Sequence, residues 1–210
     1  MSISVKLLET TKEIEQKINA AIADQLNDVL AKNLSYIQKE LIFKYIPSWI
    51  QSQPEIQAIA NGELSGPFGI TLPTLNIANA ISNAVCQSTS ISLKKYNNKL
   101  AGGGLEINVQ PVDFSNILSL PEGHTIYEDG DLHWLQWMLI RGDETIIVGY
   151  EYNPQTGLGR SKLGNMKKGN SFRVPPQYAG TSDNNFITRA LIGQQQNDDI
   201  TNLVKKALGV

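Results

Sequence analysis

The sequence predicts an α+β protein: a long N-terminal helix and short helices packed on an antiparallel β-sheet, followed by two short C-terminal helices. Three observations predict it. Apolar residues recur at three- and four-residue steps through the N-terminal part, a period-two alternation sets in after residue 88, and two short helical patterns follow the strands. The expected division is a helical region over 1–87 and a sheet domain over 88–210.

The first helix rests on Ile14, Ile18, Ile22, Leu26, Val29, Leu30, Leu34, Ile37, Leu41 and Tyr45, which follow the period of one apolar face. Thr10 or Thr11 can cap its start, Glu13 and Glu15 suit the positive dipole end, and Pro47 is expected to stop it, giving a helix over about 11–46. At 1.5 Å per residue it would be about 50 Å long, more than a compact domain of this size spans. Part of the stripe Ile14, Ile18, Ile22, Leu26, Leu34, Ile37 and Leu41 is therefore expected to meet a folded-back helix or another subunit. Trp49, just beyond, can anchor the helix end.

Pro54 to Asn61, closed by Gly62, reads as a two-turn helix. Gly62-Glu-Leu-Ser-Gly-Pro-Phe-Gly69 is a turn-rich connector, and Pro73 opens a helix to about Gln87. Ser90–Tyr96 and Leu105–Val112 alternate polar and apolar and read as a hairpin around Gly102-Gly-Gly104. Leu132–Ile140, apolar on both faces, reads as a central strand pairing with Thr145–Tyr152 through the turn Arg141–Glu144, with Trp134 and Trp137 facing opposite sides. Residues 153–171 read as a long glycine-rich loop. The two final helices are expected at about 182–193 and 198–208, with Ser182 or Asp183 capping the first.

Composition narrows the function. Charged residues are 18% of the chain and the net charge is −2, so no global field draws nucleic acid or an anionic membrane. No apolar run is long enough to cross a membrane, and MSISVKLLETTKE lacks a leader's apolar core. The single Cys86 excludes an intramolecular disulfide and a four-cysteine zinc site. Catalytic, cofactor and metal residues are not assigned. His124 and His133 are the only histidines, no nucleophile-elbow motif frames a serine, and a small hydrolase using Asp113 or Glu128 with His124 has no diagnostic spacing. Glu128-Asp129-Gly-Asp131 resembles part of a calcium loop without the later carboxylates, and reads as a solvated turn. Gly157-Leu-Gly159-Arg-Ser-Lys-Leu-Gly164 matches neither the P-loop nor the dinucleotide spacing. Arg141-Gly142-Asp143 reads as a hairpin turn.

One segment stands apart by charge. Between Tyr152 and Ser182 lie Arg160, Lys162, Lys167, Lys168 and Arg173 with no acid, so the rest of the chain carries −7, which is −2 less +5. These residues can contact a neighbouring acidic subunit or the phosphates of passing DNA, or form a mobile solvated loop.

Gly159-Arg-Ser-Lys-Leu-Gly-Asn-Met166, Phe172-Arg-Val-Pro-Pro-Gln-Tyr-Ala-Gly-Thr181 and Asn185-Phe-Ile-Thr-Arg-Ala-Leu191 together resemble tail-completion and neck proteins of tailed bacteriophages. The connector Gly62–Gly69 adds a weaker match, and the main likeness covers about a fifth of the chain, Tyr150 to Leu191. The resemblance implies a non-enzymatic virion protein that needs no cofactor. It would be a head–tail connector or tail-terminator-like ring subunit, assembled in the host cytoplasm. Its partners would be its own copies, adjacent head–tail proteins and, through non-specific contact, DNA in the channel. A tube-end or baseplate position is the alternative within that class. The N-terminal helix is longer than such a fold needs, so it is either an extra arm or the mark of another position in the virion.

Overall fold

The computed structural model describes residues 8–128 and 130–209. Residues 1–7, where the leader expectation falls, and Asp129 of the acidic turn lie outside the described residues. The chain is α+β, as its periodicities predict. No helix among the described residues is long and apolar enough to cross a membrane.

The first helix, α1 (Thr11–Glu40), opens on a reciprocal cap. Thr10 Oγ1 accepts from the Glu13 N–H at 3.4 Å, and Glu13 Oε2 takes the Thr10 N–H at 2.7 Å. Those bonds favour the ionised carboxyl and hold Glu13 below the ordinary carboxylate range. Pro47 does not stop the helix where expected. Leu41–Tyr45 form a π turn, and α2 (Ile46–Gln51) carries Pro47 in its first turn. The π turn just before it shifts the helical hydrogen-bond register, and the Ile42 carbonyl one turn upstream accepts from the Cys86 thiol at 3.2 Å.

The next helices fall close to expectation: α3 (Pro54–Ala60), a single turn α4 (Ser65–Phe68) within the connector, and α5 (Thr74–Ser88). The expected single sheet is replaced by three separate antiparallel pairs. β1 (Ser90–Lys94) pairs with β2 (Gly104–Asn108), as the alternation predicts. After α6 (Ser115–Leu118), β3 (Thr125–Tyr127) pairs with β4 (Gly130–Leu132). The expected strand Leu132–Ile140 is instead mostly α7 (Leu135–Leu139). Trp134, Leu135, Met138 and Leu139 are buried while Ile140 is 40% exposed, a helical spacing that a strand cannot produce. Trp134 is fully buried and Trp137 half-buried, so the tryptophans are not split across a strand.

β5 (Thr145–Asn153) pairs with β6 (Asn165–Arg173), so the expected loop 153–171 shrinks to 154–164. β6 was hidden because only Phe172 of its nine residues is buried. The chain then forms α8 (Phe186–Leu191) and α9 (Gln194–Leu208), with Asn185 rather than Ser182 or Asp183 as the cap.

Contacts divide the chain into two interleaved units rather than at residue 87. One comprises 8–40, Ser90–Asn108 and 201–209; Asn27 clasps the end of β1 there, accepting from the Tyr96 N–H at 2.8 Å and donating to its carbonyl at 3.0 Å. The other, Leu41–Thr89 with Val109–Ile200, packs α2 against α5 and α8. Its aromatic centre is Phe68, stacked on Trp134 at 5.8 Å and edge-on to Phe172 at 6.2 Å.

Candidate functional site

The two segments that carry the weaker and stronger parts of the resemblance meet in the larger unit. The 154–164 loop folds onto the 62–69 connector. A Cβ at Gly66 would lie 2.2 Å from the Tyr152 hydroxyl, so any side chain there would push the Tyr152 ring off the connector. Leu163 packs over Gly62. Arg160 places its guanidinium 5.2 Å from the Tyr127 ring centre and donates to the Ile126 carbonyl. The Tyr127 hydroxyl donates to the Phe68 carbonyl at 3.0 Å. Burial raises its pKa, against a smaller lowering by Arg160. Together these groups border a cavity of about 510 Å³, walled by Gly66, Tyr127, Trp137, Tyr152, Arg160 and Phe172.

The five basic residues do not form one patch. Arg160 is docked, Lys162 sits at φ +60° in the loop, and Lys167 pairs with Glu151 across the hairpin at 3.1 Å. Lys168 lies opposite Tyr150 and Arg173 opposite Thr145, at the other end of the ribbon. Charge here is distributed along a hairpin rather than focused on one ligand.

The stripe on α1 also divides. A four-residue step advances about 40° around a helix, so a strict four-residue row winds off its starting face. Ala23, Leu30, Ile37 and Leu41 are buried, and Leu26 and Leu34 are half-buried. Ile14 is half-buried, while Ile18 and Ile22 are 54% and 41% exposed. The N-terminal half of the stripe thus has little cover from the rest of its own unit.

Of the segments behind the strongest resemblance, Asn185–Leu191 is largely buried in the core while Gly159–Met166 is mostly exposed. Asn185 is fully buried and caps α8, accepting the Thr188 N–H at 2.9 Å. Phe186, Ile187 and Ala190 are fully buried. Arg189 pairs with the buried carboxylate of Glu55 and donates to Asn184 Oδ1 at 2.8 Å. Gly180 threads against α7, where an added Cβ would lie 1.8 Å from the Met138 carbonyl oxygen. The Tyr178 hydroxyl donates to Glu63 at 2.9 Å, which raises its pKa.

A second constellation escaped sequence reasoning. The β3–β4 register pairs Thr125 with Leu132 and Ile126 with Asp131, so residues 124 and 133 are next in line beyond the ladder. Their imidazole rings lie 3.8 Å apart. Asp131 Oδ2 stands 3.0 Å from His124 Nδ1 and 3.1 Å from His133 Nε2. His124 therefore meets Asp131, while Asp113 is engaged elsewhere: Ser115 donates to it from backbone and hydroxyl, holding its carboxyl low. A signal was present in the sequence. Pairing the chain symmetrically about Glu128-Asp129 aligns Tyr127 with Gly130 and, three steps outward, His124 with His133.

Comparison with models of known protein families, with curated proteins and with solved structures finds no match to this chain.

Proposed function

We propose that this chain is a structural subunit of a tailed-bacteriophage virion, forming a ring at the head–tail junction. The observation that carries the reading is the uncovered half of the α1 stripe, where Ile18 and Ile22 face solvent on a long helix. Their open surface is worth about 2 kcal/mol together if a neighbour covers it, since a fully buried Ile contributes about 1.5–3 kcal/mol. A stable ring contact needs more, and charge supplies a second component. Residues 9–28 hold five acids against two lysines, a net −3, while the hairpin 145–173 carries five basic residues against Glu151, a net +4. An acidic, isoleucine-bearing helix on one copy and a basic hairpin on the next make a head-to-tail contact, the kind that closes into rings. The resemblance of 159–191 to neck and tail-completion proteins supports the location.

Sedimentation velocity and negative-stain microscopy of the purified full chain test this reading. The expected result is a discrete closed multimer. Ile18→Asp with Ile22→Asp should dissociate it while circular dichroism stays unchanged, since both positions are already half open. A species of 23.1 kDa at every micromolar concentration would overturn it.

A further inference from the structure

We infer that His124, Asp131 and His133 form a binding site for a divalent first-row transition-metal ion, with Zn²⁺ the best match. Their donor atoms lie within 4.8 Å of one another. Ligand atoms held by one ion at about 2.0–2.1 Å stand about 2.9–3.4 Å apart, depending on coordination geometry. The two edges to Asp131 Oδ2, 3.0 Å from His124 Nδ1 and 3.1 Å from His133 Nε2, fall in that range. The two imidazole donors lie within 4.8 Å of each other, so an ion seated against Asp131 can reach both rings once they draw together on it.

The donor set selects the ion. Two imidazoles and one carboxylate suit Zn²⁺ and its neighbours, whereas Ca²⁺ and Mg²⁺ require oxygen cages. The calcium-like look of the acidic turn is thus misleading: Asp131 is shared with nitrogen donors. Access is open as well. His133 and Asp131 side chains are each 39% exposed, and His124 borders a cavity of about 250 Å³ beside Arg160. Water can complete the coordination from that side.

The position gives the ion a job. β3 and β4 have three residues each and cannot hold a ribbon by ladder bonds alone. An ion at the open end would fasten 124 to 133, and with them the ring of Tyr127 that supports Arg160. His124 Nε2 is buried with no hydrogen-bond partner, so the polar contacts that hold this imidazole come through Nδ1, the atom aimed at Asp131.

Calorimetric titration of the untagged full chain with ZnSO₄ in a non-chelating buffer tests the site. One Zn²⁺ per chain is expected, and His133→Ala should weaken binding by more than the roughly 10–100-fold that loss of a supporting second-shell group costs. If His133→Ala does not fold, His133→Gln, which keeps a polar side chain, takes its place. Co²⁺ adds a readout on the native chain: visible bands stronger than those of the aqueous ion, displaced by Zn²⁺. Absence of stoichiometric Zn²⁺ uptake overturns the proposal, as does uptake that the His133 variant leaves unchanged. Rings that bind no Zn²⁺ would refute this site alone, whereas a Zn²⁺-binding monomer would refute the ring alone.

Discussion

Asn185 offers the sharpest test of how the resemblance segments work. Its side chain is fully buried and makes four hydrogen bonds. The carbonyl accepts from Thr188 N at 2.9 Å and Thr188 Oγ1 at 3.3 Å, and the amide donates to Thr181 O at 2.9 Å and Leu139 O at 3.3 Å. Asn185→Ala removes a helix cap, costing about 1 kcal/mol. It also leaves the Leu139 and Thr181 carbonyls without this donor, at about 1–3 kcal/mol for a buried group. A total near 3 kcal/mol is expected, a drop of about 6–12 °C in Tm for a chain of this size. Asn185→Asp separates the two contributions. Aspartate caps helices as well as asparagine does, but here it would aim a buried carboxylate at two carbonyl oxygens. It should therefore be at least as damaging as alanine. Urea unfolding read by fluorescence of Trp134 and Trp137, which flank and lie in α7, measures both. An Asn185→Asp protein within about 0.5 kcal/mol of wild type would show that the side chain is only a cap and refute the network.

Two further outcomes rest on buried chemistry in the same unit. Arg189→Met should destabilise by about 3 kcal/mol, because the Glu55 carboxylate, 2% exposed, loses its cation. Adding Glu55→Met should recover most of that in the same urea assay, and a double variant as weak as the single one would contradict the assignment. Cys86 is half-buried, its thiol bonded to the Ile42 carbonyl at 3.2 Å, and desolvation pushes its pKa from 9.0 up to about 11. Native thiolate at pH 8 is then about 100-fold scarcer than in the unfolded chain, so iodoacetamide should modify the native protein about that much more slowly. Because the folded state retains its proton longer, this group favours the fold below pH 9.0 and that contribution is lost as pH rises toward about 11.

What was legible followed from local rules. The long helix, α3, α5 and the β1–β2 hairpin carry their own periodicity, prolines and glycines, and the structure has them near the expected residues. What was not legible depends on partners distant in sequence. β6 is polar along most of its length, and its strand form comes from pairing with β5. The α7 segment is apolar on every side, so periodicity alone could not choose between buried strand and buried helix. Its burial pattern, Trp134-Leu135 with Met138-Leu139, settles it as helix. The basic residues were legible as a charge run, but Arg160 docking on Tyr127 and Lys167 pairing with Glu151 are tertiary events. The histidine pair was one turn assignment away: the hairpin register that joins His124 to His133 is symmetric in sequence, and only the turn position was missing.

The smaller unit has a consequence for biosynthesis. Its parts, 8–40, Ser90–Asn108 and 201–209, are spread along the chain, and the larger unit supplies everything between them. Roughly 160 residues separate Glu40 from Thr201, so at about 5–20 residues per second the ribosome delivers the last part about 8–30 s after the first. Through that interval α1 waits without 201–209, the segment whose Lys206 stands 5.9 Å from the Tyr36 ring centre. The larger unit, made of 41–89 and 109–200, has all its residues before then. A nascent chain therefore carries a complete β5–β6 hairpin before its smaller unit is complete.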